Sequence, residues 1–90
     1  MSNETYANLK SFEGQLIGSH VELDFPWRAK ELVIINDEDS GDLKFRFDAS
    51  AEDNWATLKA GETVRFERLM CKRLHLSAVT MVNYRIWGVG

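Results

Sequence analysis

Five segments of the chain alternate apolar and polar residues: VELDF (21–25), LKFRFD (43–48), TVRFE (63–67), RLHLSA (73–78) and VNYRIW (82–87). Successive side chains of a strand point to opposite faces, so this spelling predicts strands with one buried and one wet side. The apolar sets place Leu43, Phe45, Phe47, Val64, Phe66, Leu74, Leu76, Tyr84 and Ile86 in one core. LVII (32–35) departs from the alternation. Four aliphatic residues in a row predict burial on both faces, hence a strand under a second layer or at a subunit contact. Pro26 cannot donate to a sheet ladder, so the first alternating strand bends or ends there. NDEDSGD (36–42) and DASAEDN (48–54) are polar loops, and KAGE (59–62) is a tight turn with a positive φ expected at Gly61. The expectation is an all-β chain, an antiparallel β-sandwich or barrel of about seven short strands.

Residues 1–20 are less regular. Tyr6, Leu9 and Phe12 recur at every third position and Ser2 or Asn3 supplies a cap, which suits a short helix. A docked arm suits the same residues, and Gln15-Leu16-Ile17 between Gly14 and Gly18 suits a short edge strand. The organisation expected is one domain, with an N-terminal arm, short helix or edge strand over 1–20 and the β-sandwich over 21–90.

Composition narrows the function classes. A chain of 90 residues builds a thin core, for which oligomerisation is a common supplement. Its one cysteine, Cys71, excludes an internal disulfide framework. LVII is the longest aliphatic run and is too short to span a bilayer, so no membrane partner is expected. MSNETYANLK has neither the basic start nor the apolar stretch of a signal peptide, which predicts synthesis in the cytoplasm without export. From Met1 to Glu62 there are thirteen acids against six bases; from Thr63 to Gly90 there is one acid, Glu67, against five bases. Such a bias predicts pairing of the two regions within the fold or between subunits, or a basic patch for phosphate or an acidic partner. The net charge of −3 and the absence of basic runs argue against nucleic acid.

Catalytic constellations are missing. No serine lies in a nucleophile elbow and no glycine-rich phosphate cradle occurs, so an enzyme is not expected. His20 and His75 are far apart in sequence and neither has metal-ligand spacing; Cys71 and His75 are four apart, useful on a helix and not on a strand. Neither a metal nor a cofactor is expected. NDEDSGD resembles a calcium loop, but with Gly41 as the turn glycine the twelfth position is Phe47 where an EF-hand needs glutamate. An adventitious Ca²⁺ site at Asp37, Asp39 and Asp42 stands as the alternative to a solvated loop.

Tryptophan is the better lead. With Val82, Tyr84 and Ile86 inward, Asn83, Arg85 and Trp87 share the opposite face. An outward tryptophan beside an arginine is contact chemistry, unless the N-terminal arm covers it. Trp27 follows the Pro26 bend and is expected half exposed; Trp55 opens a strand and is expected in the core. The candidate interface is Trp87, Arg85 and Trp27 with Val33 and Ile35 of the LVII strand, and the expected partner is a second copy in a homo-oligomer.

The order FPWRAKELVIINDE, DLKFRFD, ATLKAGET and YRIWGVG, over residues 21–90, resembles small β-sandwich proteins from the structural regions of tailed bacteriophages and prophages. The resemblance implies a non-enzymatic virion structural or accessory protein: a capsid decoration, head–tail or tail-associated part. It would act by self-assembly or by docking on other virion proteins, and would reside in the virion. The alternative is a carbohydrate- or surface-recognition module that uses Trp27, Trp55 or Trp87 as a platform, with Asn83 and Arg85 hydrogen-bonding the glycan.

Overall fold

The alternating segments wind back and forth between two sheets. A computed structural model describes residues 8–47 and 54–90. In chain order the strands are β1 (Leu9–Leu16), β2 (Ser19–Ala29), β3 (Glu31–Asn36), β4 (Leu43–Phe47), β5 (Ala56–Leu58), β6 (Thr63–Phe66), β7 (Cys71–Ala78) and β8 (Val82–Val89). Sheet 1 has the order β1-β8-β3-β6 and sheet 2 the order β2-β7-β4-β5. Every recorded pairing is antiparallel. Apart from β4–β5, each connection crosses from one sheet to the other. Two of these crossings are very short: Ile17 and Gly18 after β1, and Lys30 alone after β2. Gly18 and Gly61 both have positive φ, +54° and +80°, as their turns require.

Both inner faces are apolar, as the alternation predicts. Phe25, Leu32, Ile34, Leu43, Leu74, Leu76, Val82 and Ile86 are all but sealed from solvent. Phe25 of β2 crosses the interface between the sheets: its ring lies where a side chain at Gly88 of β8 would stand, and it meets Phe12 of β1 edge-on with centroids 5.3 Å apart. Of the nine residues expected in the core, Leu43, Phe45, Leu74, Leu76, Tyr84 and Ile86 are buried. Phe47, Val64 and Phe66 pack against the core but are only partly covered, because Phe47 ends the short strand β4 and Val64 and Phe66 lie on the edge strand β6.

Several expectations need adjustment. Among the described residues there are eight strands, since residues 9–16 form a full-length edge strand paired with β8 along its whole length. The helix cap proposed at Ser2 or Asn3, and the loop segment 48–53, lie outside the described residues. β2 does not end at Pro26; it bends, with a register shift between Asp24 and Ala29 against β7. This is a bulge at an edge strand, where a missing N–H is tolerated. LVII is not buried on both faces. Leu32 and Ile34 point into the core, while Val33 and Ile35 are half covered on the outside. Asn36, at the end of β3, is buried and its amide nitrogen donates to the carbonyls of Gly41 and Leu58 at 2.9 and 3.0 Å. It thereby ties the 36–42 loop to β5.

Candidate functional site

Two faces remain once the interior is filled, and they differ in chemistry. The outer face of sheet 1 is a grid of side chains set by strand register. Leu9 lies opposite Val89, Ser11 opposite Trp87, Glu13 opposite Arg85 and Gln15 opposite Asn83. On the other side of β8, Val33 lies opposite Trp87 and Ile35 opposite Arg85, with Arg65 of β6 beyond Val33. One end of the face is therefore apolar and the other polar. At the apolar end a shallow groove of about 550 Å³ is lined by Leu9, Val33, Trp87 and Val89, with Glu31 and Arg65 along one rim. Leu9 is 71% exposed and Trp87 43% exposed, high values for apolar side chains of this size. Arg65 donates to Glu31 at 2.8 Å, and that hydrogen bond, with the charges of Glu31 and Glu67, pushes its already high pKa further up. Arg65 therefore keeps its positive charge on the rim.

The outer face of sheet 2 is mainly polar, with Trp55 as its large apolar side chain. Because Val21, Leu23 and Phe25 face inward on β2, His20, Glu22 and Asp24 face outward; on β7 the same parity sends Arg73, His75 and Ser77 outward. Register then sets Glu22 opposite His75 and Asp24 opposite Arg73, with Arg46 of β4 on the far side of His75. His20 Nε2 lies 3.3 Å from His75 Nδ1, and Glu22 Oε1 lies 3.7 Å from the same nitrogen. Arg73 donates to Asp24 at 2.6 Å and reaches Glu22 at 3.8 Å. Trp55 meets the His20 ring edge-on at 5.6 Å and carries the Arg46 guanidinium over its face at 5.1 Å. His75 is buried under this cluster, whereas His20 and Glu22 are open to solvent.

Of the interface residues expected from sequence, Trp87, Arg85, Val33 and Ile35 share the outer face of sheet 1. Trp27 does not join them: it belongs to sheet 2 and is half buried against Phe25 and the backbone at Gly90. Trp55 is on the outer face of sheet 2 and not in the core. The three tryptophans thus stand in different settings: Trp87 on the outer face of sheet 1, Trp55 on that of sheet 2 and Trp27 half buried. Asp37, Asp39 and Asp42 do not converge as a calcium site would need; among the described residues the trio with converging ligand atoms is His20, Glu22 and His75. Sequence separation hid that trio, since the two histidines meet only through the β2–β7 register. Charge pairing occurs within the fold, Arg65 with Glu31 and Arg73 with Asp24. No helix of the described residues is long and apolar enough to cross a membrane.

No family model and no curated protein matches the chain. Its fold, however, is found among solved structures. It is similar to the cupin-2 domain of an XRE family transcriptional regulator from Enterobacter cloacae, at 21% identity and a TM-score of 0.61, over 89% of this chain and 79% of that one. It is also similar to an HTH_3 family transcriptional regulator from Vibrio cholerae, at 20% identity and a TM-score of 0.61; there it covers 98% of this chain but only 48% of that chain. A de novo designed double-stranded β-helix superposes with a TM-score of 0.57 at 20% identity, over 88% of this chain and 97% of the design. The two-sheet winding described above is this double-stranded β-helix architecture. These neighbours overturn the phage virion resemblance and the functions attached to it. The Phe-Pro bend and the Leu-Lys-x-Gly-Glu turn that carried it are punctuation that many two-sheet folds need, so they report turn chemistry and not kinship. The carbohydrate alternative likewise finds no support in these neighbours.

Proposed function

We propose that the chain is a non-enzymatic, cupin-fold self-association module, two copies of which pack through the apolar end of the outer face of sheet 1. One observation carries this reading: Leu9, Val33, Trp87 and Val89 form an open apolar groove directly beside the Glu31–Arg65 pair. A twofold interface must be complementary to itself. This face meets that condition, because it holds an apolar centre and both signs of charge. A copy turned by 180° about an axis through Trp87 and the Glu31–Arg65 rim brings apolar side chains onto apolar ones and sets Arg65 of one chain near Glu31 of the other. Tryptophan at the centre and arginine at the edge is also the composition typical of interface anchors. Burial of Trp87 and Leu9 supplies the affinity; the charged rim steers approach.

The fold neighbours support a role as one part of a larger system. Two of them are transcriptional regulators, and one is about twice the length that this chain spans in it. In that setting the pairing of two copies is itself the useful act. Multi-angle light scattering tests the reading. The expected mass is twice the 10.3 kDa of one chain, retained in high salt and lowered towards the single-chain value by Trp87→Ala. A wild-type chain that stays at the single-chain mass at high concentration overturns it.

A further inference from the structure

We propose that His20, Glu22 and His75 form a surface site for one first-row divalent transition-metal ion, with zinc as the reference ion. The site lies on the outer face of sheet 2, apart from the groove on sheet 1, and does not depend on the self-association reading. The barrel interior is excluded as its location, because it is filled by apolar side chains.

Geometry is the first argument. Two imidazole nitrogens, each about 2.0–2.1 Å from a tetrahedral zinc, stand about 3.3–3.4 Å apart. His20 Nε2 and His75 Nδ1 are 3.3 Å apart, a hydrogen-bonding separation that is also the separation two zinc-bound imidazole nitrogens require. The third donor, Glu22 Oε1, is 3.7 Å from His75 Nδ1. That is a few tenths of an ångström wider than about 3.4 Å, and Glu22 is an exposed, rotatable side chain. All three ligand atoms lie within 4.8 Å of one another. An ion held by them keeps an open position toward solvent, on the side where His20 and Glu22 are exposed.

Preorganisation is the second argument. His75 is buried between its strand neighbours, so its ring is held by packing. His20 is braced edge-on by Trp55, and Glu22 stands directly across the ladder from His75. Ordering three ligands on a rigid sheet removes much of the entropy that a flexible site would lose on binding. The donor set selects the ion class: two imidazoles and one carboxylate suit zinc, nickel, copper or cobalt, while calcium and magnesium take oxygen ligands. The nearby cations set the limit on affinity. Arg73 is 3.8 Å from Glu22 and competes with the ion for that carboxylate, and Arg46 lies across the ladder from His75.

Titration calorimetry of the 90-residue chain with zinc chloride, repeated with cobalt(II) read by visible absorption, tests the site. The wild type is expected to bind one ion per chain with micromolar affinity or tighter. His20→Ala and Glu22→Gln should each weaken binding by more than the roughly 10–100-fold typical of losing an outer-shell partner. Both positions are exposed, so circular dichroism and thermal unfolding in the absence of metal should not change, whereas His75→Ala removes a buried ring and should lower stability by itself. Arg73→Gln should tighten binding by freeing Glu22. Absence of saturable zinc binding by the wild type overturns the proposal. So does binding that both His20→Ala and Glu22→Gln leave undiminished, because the ion would then sit elsewhere.

Discussion

The two sheets share one inner chemistry and differ in the outer one. Inside, both present leucine, valine and phenylalanine to a common core, to which sheet 1 adds Ile34 and Ile86. Outside, sheet 1 sets Leu9, Val33, Trp87 and Val89 together, whereas sheet 2 sets His20, Glu22, Asp24, Arg73 and His75 together. Inward positions answer to the fold and are interchangeable between sheets in kind. Outward positions are released from that demand, so their departures from ordinary surface composition are where binding is written. An apolar outer patch has the chemistry of a partner surface; a polar patch with two imidazoles facing each other has the chemistry of an ion site.

The largest effect should come from a residue that belongs to neither outer face. Phe25 of β2 spans to Gly88 of β8, so it joins the two sheets. Phe25→Ala should cost about 3–5 kcal/mol, the range for truncating a buried phenylalanine, and in a domain this small should abolish most of the folded population. Chemical denaturation monitored by tryptophan fluorescence measures it. A cost below about 1 kcal/mol would mean that the sheets are not held together at this point, and both outer faces would need to be placed anew.

The next effect sharpens the comparison, because it should act through sheet 2 alone. Zinc at about a hundred times its dissociation constant should stabilise the folded chain by about 2.7 kcal/mol, provided the unfolded chain does not bind it. Thermal unfolding with and without zinc reads this as a rise in Tm, absent in His20→Ala. Trp87→Ala should leave that rise intact. The converse holds for sheet 1. Trp87→Ala should abolish the doubled mass while changing the stability of the single chain by less than about 1 kcal/mol, since the side chain is 43% exposed before association. His20→Ala should leave the mass unchanged. If either substitution affects both readouts, the two faces are not independent.

Much of this was legible in the sequence, and the boundary is physical. Alternation is local: Leu43, Phe45, Leu74, Leu76, Tyr84 and Ile86 disclose their inward direction by their neighbours two residues away. The same parity places Trp87 and Arg85 outside, and it already directs His20, Glu22 and His75 away from the core. What alternation does not contain is which strands pair. His20 and His75 are separated by 55 positions and meet because β2 lies beside β7, a fact of winding and not of spelling. Ligand spacing along the chain is a helix-based or hairpin-based test, so it does not register a trio of side chains brought together across a ladder. The bend of β2 was foreseeable from Pro26. The continuity of β1 was not, because its own residues, LKSFEGQL, alternate weakly and owe their extended form to eight partners on β8.

The smallest expected effect concerns Tyr84, which lies inward beneath the polar half of sheet 1, opposite Gly14. A side chain at Gly14 would stand 2.7 Å from its hydroxyl oxygen, so the phenol fills the space that the glycine leaves. Burial disfavours the phenolate and raises the Tyr84 pKa above its ordinary 10.0. In the unfolded chain the group keeps the ordinary value. The folded state therefore holds its proton to higher pH than the unfolded state does. The stability linked to this difference is fully present below pH 10.0 and is lost as pH rises towards and through the folded pKa. Between pH 6 and 9, as a rough working window, stability should not depend on this residue at all. Tyr84→Phe should remove that part of the alkaline loss and leave the neutral-pH midpoint nearly unchanged, because the phenol is replaced by a ring of similar shape. Urea midpoints of both proteins at neutral and at alkaline pH measure it. Equal alkaline losses in the two would show that Tyr84 ionises as freely in the fold as out of it, and that the polar half of sheet 1 admits water down to the core.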